Sequence, residues 1–130
     1  MRNEKGQAAV EFALVLPFLI LLICGVIDFG RILYTANTLT GACERAARYA
    51  SINPTKTDTD VRDYIYSILP AGFDTTNIND VNADPDPTRT SNTTVTVTFT
   101  YEMDYVTPFI KNLLSSDFKT LSFSSACRVE

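Results

Sequence analysis

The sequence predicts an α+β protein in which one long N-terminal helix carries a short helix and a small, about three-stranded antiparallel sheet on its upper half. Two patterns lead to this prediction. The first is an apolar run near the start of the chain that continues as a helical stripe. The second is a strict alternation of apolar and polar residues near the end of the chain, which is the period of a strand with one buried face.

The apolar run covers Phe12–Ile27 and contains no charged residue. With the small and apolar residues that precede it, the run reaches about twenty residues, enough to cross ~30 Å of hydrocarbon. Glu11 is the one acidic residue in this extension. Pro17 lies inside the run, and membrane helices tolerate proline at such positions. The sequence therefore predicts one transmembrane helix.

The charges that flank this run predict its orientation. Arg2 and Lys5 precede it, and Asp28 follows it at once. Positive charge on the short N-terminal side places that end in the cytoplasm, and Arg31 weakens this asymmetry without reversing it. We expect a cytoplasmic leader over 1–6, a transmembrane segment over 7–27 and an extracytoplasmic domain over 28–130.

The helical pattern continues beyond the predicted membrane segment. Apolar residues recur there at steps of three and four, and no proline interrupts them before Pro54. We expect one helix over about 7–51, roughly 65 Å long, with its lower half in lipid. Its upper half offers an apolar stripe to the domain: Ile32, Ala36, Leu39, Cys43, Ala46 and Ala50.

Capping and alternation predict the remaining elements. Thr57–Asp60 is a helix N-terminus with acidic residues in its first turn, and Pro70 with Gly72 ends that helix. Three stretches then have the character of strands, and Thr107–Pro108 begins a short helix through Leu114. The predicted strands cover Ile78–Val81, Val95–Tyr105 and Leu121–Val129.

Composition narrows the classes of function. The chain has no histidine and carries a net charge of -4, with 11 basic against 15 acidic residues and no basic cluster. A nucleic-acid-binding surface requires clustered Lys and Arg, so we expect no nucleic-acid partner. The commonest acid–base group and metal ligand is missing, and no catalytic constellation is evident. We predict a protein that is not an enzyme and takes no cofactor.

Three processing routes are compatible with this N-terminus. A secretory signal peptide needs small residues at a cleavage point after the apolar run, and CGVIDFGR lacks them. A lipoprotein signal would use Cys24, but Ile23 precedes it where a small residue is expected. A cut between Gly6 and Gln7 would leave the helix in the mature protein, and the sequence favours this third route.

The start MRNEKGQAAVEFALVLPF resembles the class III signal of type IV pilins and pseudopilins. The resemblance implies that a prepilin peptidase cuts after Gly6 and that Glu11, with Phe12 beside it, serves assembly. A charged group in the hydrocarbon costs about 2.5–3.5 kcal/mol and normally has a partner. In the pilin pattern, that partner is the new amino group at Gln7 of a neighbouring subunit. The alternative is that Glu11 lies among lipid headgroups without a role.

A longer stretch of the sequence makes this resemblance more specific. The segments GQAAVEFALVLPF and IDFGRILYTANTLTGACERAARYAS, with a Thr/Val-alternating strand, resemble the TadE-like family of tight-adherence pilus pseudopilins. This resemblance implies a minor, non-catalytic subunit in pilus assembly at the cell surface. Its implied partners are membrane lipid, prepilin peptidase, other pilin-like subunits and the pilus assembly machinery. The alternative is a permanently membrane-anchored envelope protein whose outer domain binds a ligand or partner.

Two further constellations have competing interpretations. Cys43 and Cys127 both lie outside the cytoplasm in the predicted topology, so we expect a disulfide between them, with two free thiols as the alternative. The alternate-residue spacing of Asp80, Asn82, Asp84 and Asp86 is that of calcium loops. An EF-hand loop also needs Gly at its sixth position and Glu at its twelfth. Pro85 and Ser91 stand there, so a solvated acidic turn is favoured over a metal site.

Overall fold

A computed structural model describes residues 2–85, 89–105 and 119–129. The predicted α+β architecture is confirmed. The predicted helix Thr107–Leu114 lies outside the described residues. A single 3₁₀ turn, Thr75–Asn77, precedes the first strand, and the regular elements are α1 (Arg2–Ile52), α2 (Asp58–Ile68), β1 (Ile78–Asp84), β2 (Thr94–Glu102) and β3 (Thr120–Arg128).

The helix α1 dominates the molecule. It contains 51 residues and is therefore about 76 Å long. Pro17 lies within it and does not end it. At its C-terminal end, both the backbone N–H and the side-chain amide of Asn53 donate to the carbonyl of Tyr49, at 3.1 and 2.9 Å. These bonds satisfy a terminal carbonyl that the helix leaves without an internal donor.

The three strands form an antiparallel sheet with β2 in the centre. The β2–β3 ladder pairs nine residues without interruption, from Thr94 opposite Arg128 to Glu102 opposite Thr120. The β1–β2 ladder contains an irregularity between Asn79 and Asn82, where Asp80 has a positive φ of 53°. β1 is thus an irregular edge strand and β3 a regular one.

The core lies between the sheet and the upper part of α1. Val95, Val97, Phe99 and Tyr101 alternate along β2 and are buried on the face that meets α1. The helix contributes mostly small side chains to this contact, so the sheet can approach it closely. The buried residues of α1 are Thr35, Leu39, Ala42, Cys43, Ala46, Ala47, Ala50 and Ser51, apart from the isolated Asp28.

The second helix covers the adjoining side of the core. The Thr57 backbone N–H donates to the carboxylate of Asp60 at 3.0 Å, which fixes the start of α2 as predicted. Val61 and Ile65 are buried, and the Tyr64 ring stacks on Tyr49 of α1 with 4.2 Å between ring centroids. We call this assembly, the described residues between 35 and 129, the head.

Candidate functional site

The largest exposed apolar surface of the chain is the part of α1 below the head. We call residues 10–34 the exposed segment and residues 35–52 the packed segment. Of the exposed segment only Asp28 is buried. Phe18 is 74% exposed and Leu14 67%. Soluble monomers rarely expose so large a contiguous apolar patch, so this surface requires a cover of lipid or other apolar helices.

Length and hydropathy agree with a membrane environment. The helical stretch Gly6–Ile52 contains an 18-residue window of mean hydropathy 2.8, none of it buried inside the molecule. It is therefore long and apolar enough to cross a membrane, and it is not the core helix of a soluble domain. Exposed apolar side chains continue past the predicted limit at Ile27, through Phe29 and Leu33 to Tyr34.

Glu11 lies near the start of this surface. Its side chain is exposed, and no cation pairs with it among the residues whose side chains the structure describes. The neighbouring Phe12 is likewise exposed. None of the described side chains therefore serves as a partner for this carboxylate, and its role in assembly stays a prediction.

The predicted processing point lies within the helix. α1 begins at Arg2, so the backbone is already helical at Gly6 and Gln7, and no break marks the boundary between 6 and 7. A Cβ added at Gly6 would meet no atom within 4 Å, and the same holds for Gly25 and Gly30. The fold of this chain therefore does not require a glycine at any of these positions.

The base of the head meets the end of the exposed segment. Tyr105, just after β2, has its pKa raised by burial and by the charge of Asp28. Burial likewise raises the pKa of Tyr101, where the Arg31 charge acts in the opposite direction. Asp28 is 3% exposed. The end of β2 thus lies at the level of 28–31, directly above the predicted membrane segment.

The expected Cys43–Cys127 disulfide is not formed in the structure, where both thiols are free. The buried Cys43 thiol is directed at the carbonyl of Val97 on the central strand, at 3.5 Å. Burial and the nearby Glu44 carboxylate raise its pKa to about 11. Cys127 lies further along the helix, in a depression that it shares with residues 48–52. The two cysteines therefore lie at different positions along the axis of α1.

The acidic alternation does not form a metal centre among the described residues. Asp80 lies at the bulge of β1, and Asn82 and Asp84 are exposed on the regular part of that strand. Alternate strand residues are almost 7 Å apart and their side chains run side by side, whereas calcium ligands converge to about 2.5 Å from one ion. Asp86 lies outside the described residues.

Sequence analysis missed Arg89, a buried cation in a turn-rich stretch. Its guanidinium donates to the carbonyls of Lys56 at 2.8 Å and Pro85 at 2.9 Å, with a longer contact to Asn53 at 3.4 Å. It therefore joins the loop after α1 to the loop after β1. No local pattern could have indicated this role, because the carbonyls come from separate parts of the chain.

Fold and surface together define a protein whose described residues contain one helix able to cross a membrane and an α+β head that includes the upper end of that helix. Residues 6–48 match the family model described as TadE-like protein, so the resemblance to the TadE-like family is confirmed over this segment. The match lies entirely within α1, and the sheet lies outside it. Comparisons with curated proteins and with solved structures gave no match.

Proposed function

We propose that this chain is a minor pilin or pseudopilin that acts in the assembly of a tight-adherence, type IV-like pilus, with a structural and non-catalytic role. One observation carries the proposal. The segment that matches the TadE-like model, residues 6–48, includes the whole exposed segment of α1, which no other described part of the chain covers. The match therefore coincides with the surface that needs external partners.

The proposed mechanism places the exposed segment first in the membrane and then among other pilin-like helices. Arg2 and Lys5 keep the N-terminus in the cytoplasm, and the head lies outside. Prepilin peptidase cuts after Gly6 and creates an amino group at Gln7. Glu11 of one subunit pairs with that group on its neighbour, which offsets the cost of a carboxylate in an apolar setting. Because the two groups are close together on each helix, the pair fixes the axial register between subunits.

One observation favours the competing function, a permanently anchored envelope protein. The backbone at Gly6 is helical, and it would have to unwind before a peptidase could bind it in an extended form. In that case the leader stays, the exposed segment remains in lipid, and the head binds its ligand or partner at the membrane surface.

Intact mass separates the two functions. The full chain is purified from its native membrane with and without prepilin peptidase. We expect loss of residues 1–6 only when the peptidase is present. A leader that stays intact in a stably inserted protein contradicts the pseudopilin proposal and supports the anchored protein.

Assembly is tested with Glu11→Gln, with Glu102→Gln at the exposed end of β2 as the matched control. We expect Glu11→Gln to be processed and inserted normally but to lose co-purification with pilin-like subunits. Glu102→Gln retains co-purification. Equal co-purification of both variants would remove Glu11 from the mechanism.

A further inference from the structure

The two edges of the sheet differ, and no described residue pairs with the edge formed by β3. Val129 donates its backbone N–H to the Thr93 carbonyl at 2.8 Å, and Met103 donates to the Lys119 carbonyl at 2.7 Å. Odd-numbered residues therefore direct their backbone groups toward β2. Because these directions alternate along a strand, the N–H and C=O groups of Ser122, Ser124 and Ala126 point away from the sheet.

Nothing in the described part of the chain covers this edge. The residues with outward backbone groups are exposed, and no hydrogen bond between described residues uses those groups. Between Leu121 and Arg128 the strand has no proline, no lysine and no bulge. These are the devices that usually protect an edge strand from pairing with another chain.

The opposite edge has such protection. The Ala83 N–H points outward from β1 and donates to the Asp58 carboxylate of α2 at 2.8 Å. The bulge between Asn79 and Asn82 also disrupts the ladder. α2 packs along this strand. Among the residues that the structure describes, the sheet is thus blocked at β1 and unpaired at β3.

A groove accompanies the open edge. Between β3 and α1 lies a depression of about 270 Å³, lined by Thr40, Cys43, Glu44 and 122–125. Further up, a second depression of about 110 Å³ is lined by Arg48, Ser51, Ile52, Cys127 and Arg128. The side chains of β3 that face the helix, including Phe123, are only half-buried. The groove therefore has a mixed lining, with Phe123 and Ile52 as its large apolar side chains, Glu44 on the helix side and two arginines at one end.

We infer that the β3 edge binds an extended segment of a partner protein by strand addition. The segment directs alternate side chains toward α1, beside the half-buried Phe123, and has a carboxylate at the level of Arg48 and Arg128. Backbone hydrogen bonds to Ser122, Ser124 and Ala126 provide affinity, and the groove provides specificity. Charge complementarity supports the carboxylate, since two arginines line one end of the groove in a chain of net charge -4.

A second copy in the same membrane fits this edge less well. β3 runs in the direction of α1, because 122–125 lie beside Cys43 and Cys127 lies beside Arg48. Two copies with parallel membrane helices therefore present parallel β3 strands, and parallel pairing is the less stable kind. The other edge of a second copy is blocked at Ala83. The inference concerns the head alone and does not depend on processing at Gly6.

The test uses the full chain in detergent micelles and amide hydrogen exchange measured by NMR. The probe is a nine-residue peptide of alternating valine and threonine with one aspartate placed opposite Arg128. The control peptide carries N-methyl groups on the amides that face β3. We expect the aspartate peptide to slow exchange at Ser122, Ser124 and Ala126 by about tenfold or more, and the methylated peptide to leave it unchanged.

A pair of variants tests the edge itself. Ser124→Pro removes an outward N–H without removing a bond to β2, and Ser124→Ala keeps that N–H. We expect the proline variant to bind the peptide at least about tenfold more weakly and the alanine variant to bind it normally. Exchange at Phe123 and Ser125, whose amides bond to β2, shows whether the ladder remains intact in the proline variant.

A further variant tests the preference for a carboxylate in the bound segment. Arg48→Ala should weaken binding of the aspartate peptide several-fold and leave an asparagine version of the peptide unaffected. Two results overturn the inference: outward amides that exchange as slowly as inward ones in the free protein, or no slowing at millimolar peptide. Protection that rises with protein concentration in the absence of peptide would identify a second copy as the occupant and would equally overturn the assignment to a partner.

Discussion

In the exposed segment of α1 the large apolar side chains face outward, whereas in the packed segment the buried positions are mostly small and the outward ones mostly polar. Phe18 and Leu22 are typical of the first region, Ala46 and Glu44 of the second. The backbone continues through both without a break. The two segments therefore differ only in their side chains. The exposed segment must contact other molecules, whereas the packed segment contacts the chain's own sheet.

The largest effect that this contrast predicts concerns two phenylalanines. Phe99 is 1% exposed between the sheet and α1. Phe99→Ala should lower the free energy of unfolding of the head by about 3–5 kcal/mol, because it removes buried surface and leaves a cavity. Phe18→Ala in the exposed segment should leave this energy nearly unchanged. Denaturation of the detergent-solubilised chain, followed by the near-ultraviolet circular dichroism of its tyrosines, measures both, and equal losses would contradict the contrast.

Thiol reactivity gives the second largest effect. Burial raises the pKa of Cys43 to about 11 from its ordinary value of 9.0, so its thiolate is about a hundredfold scarcer at pH 8. In a chain with Cys24→Ser and Cys127→Ser, alkylation of the folded protein should be slower than in denaturant by at least that factor. The rate should rise with pH up to about 11. Mass spectrometry follows the labelling, and fast alkylation at pH 8 would place Cys43 outside the core.

Ala46 tests how closely the sheet approaches the helix. Its side chain is fully buried in the packed segment. Ala46→Leu should destabilise the head by about 1–3 kcal/mol through overpacking. Ala13→Leu makes the same change on the exposed segment and should cost the head nothing. The same denaturation measurement compares the two, and a neutral Ala46→Leu would indicate a loosely packed contact.

The smallest effect concerns the acid dependence of the head. Hydrogen bonds from Thr57 lower the pKa of Asp60. A carboxyl whose pKa is lower in the folded state stabilises that state above its unfolded pKa, near 3.8, and the contribution disappears as pH falls through the folded pKa. Asp60→Asn should therefore reduce the loss of stability between neutral pH and pH 3. Asp63→Asn, in the same helix but outside the cap, is the control, and identical acid profiles would remove the cap as the cause.

The sequence was sufficient for α1, α2 and two of the strands because the responsible signals are local. Pro54 follows the end of α1 closely, and Thr57 with Asp60 fixes the start of α2. Alternation was sufficient for β2 and β3, since the helix buries only one face of each. These signals act within a few residues of the structure that they determine.

The remaining features depend on distant contacts. β1 extends to Asp84 although only Ile78–Val81 was predicted, because pairing with β2 overrides the weak strand preference of its Asn and Asp residues. The exposed segment and its Glu11 could be found in the sequence, whereas the free thiols and Arg89 could not. Their positions depend on where the sheet lies along α1, and no single stretch of residues determines that offset.

The uninterrupted helix also has a mechanical consequence. Ile52 lies 25 residues beyond Ile27, and with an α-helical rise this part of α1 is a rod of about 37 Å. The sheet packs directly on this part of α1 and is not merely connected to it by a linker. The head and the exposed segment therefore turn together as one unit. A tilt of about 20°, common for helices in bilayers, would displace the far end sideways by about 13 Å. A small change in the tilt of the exposed segment therefore produces a much larger displacement at the far end of the head.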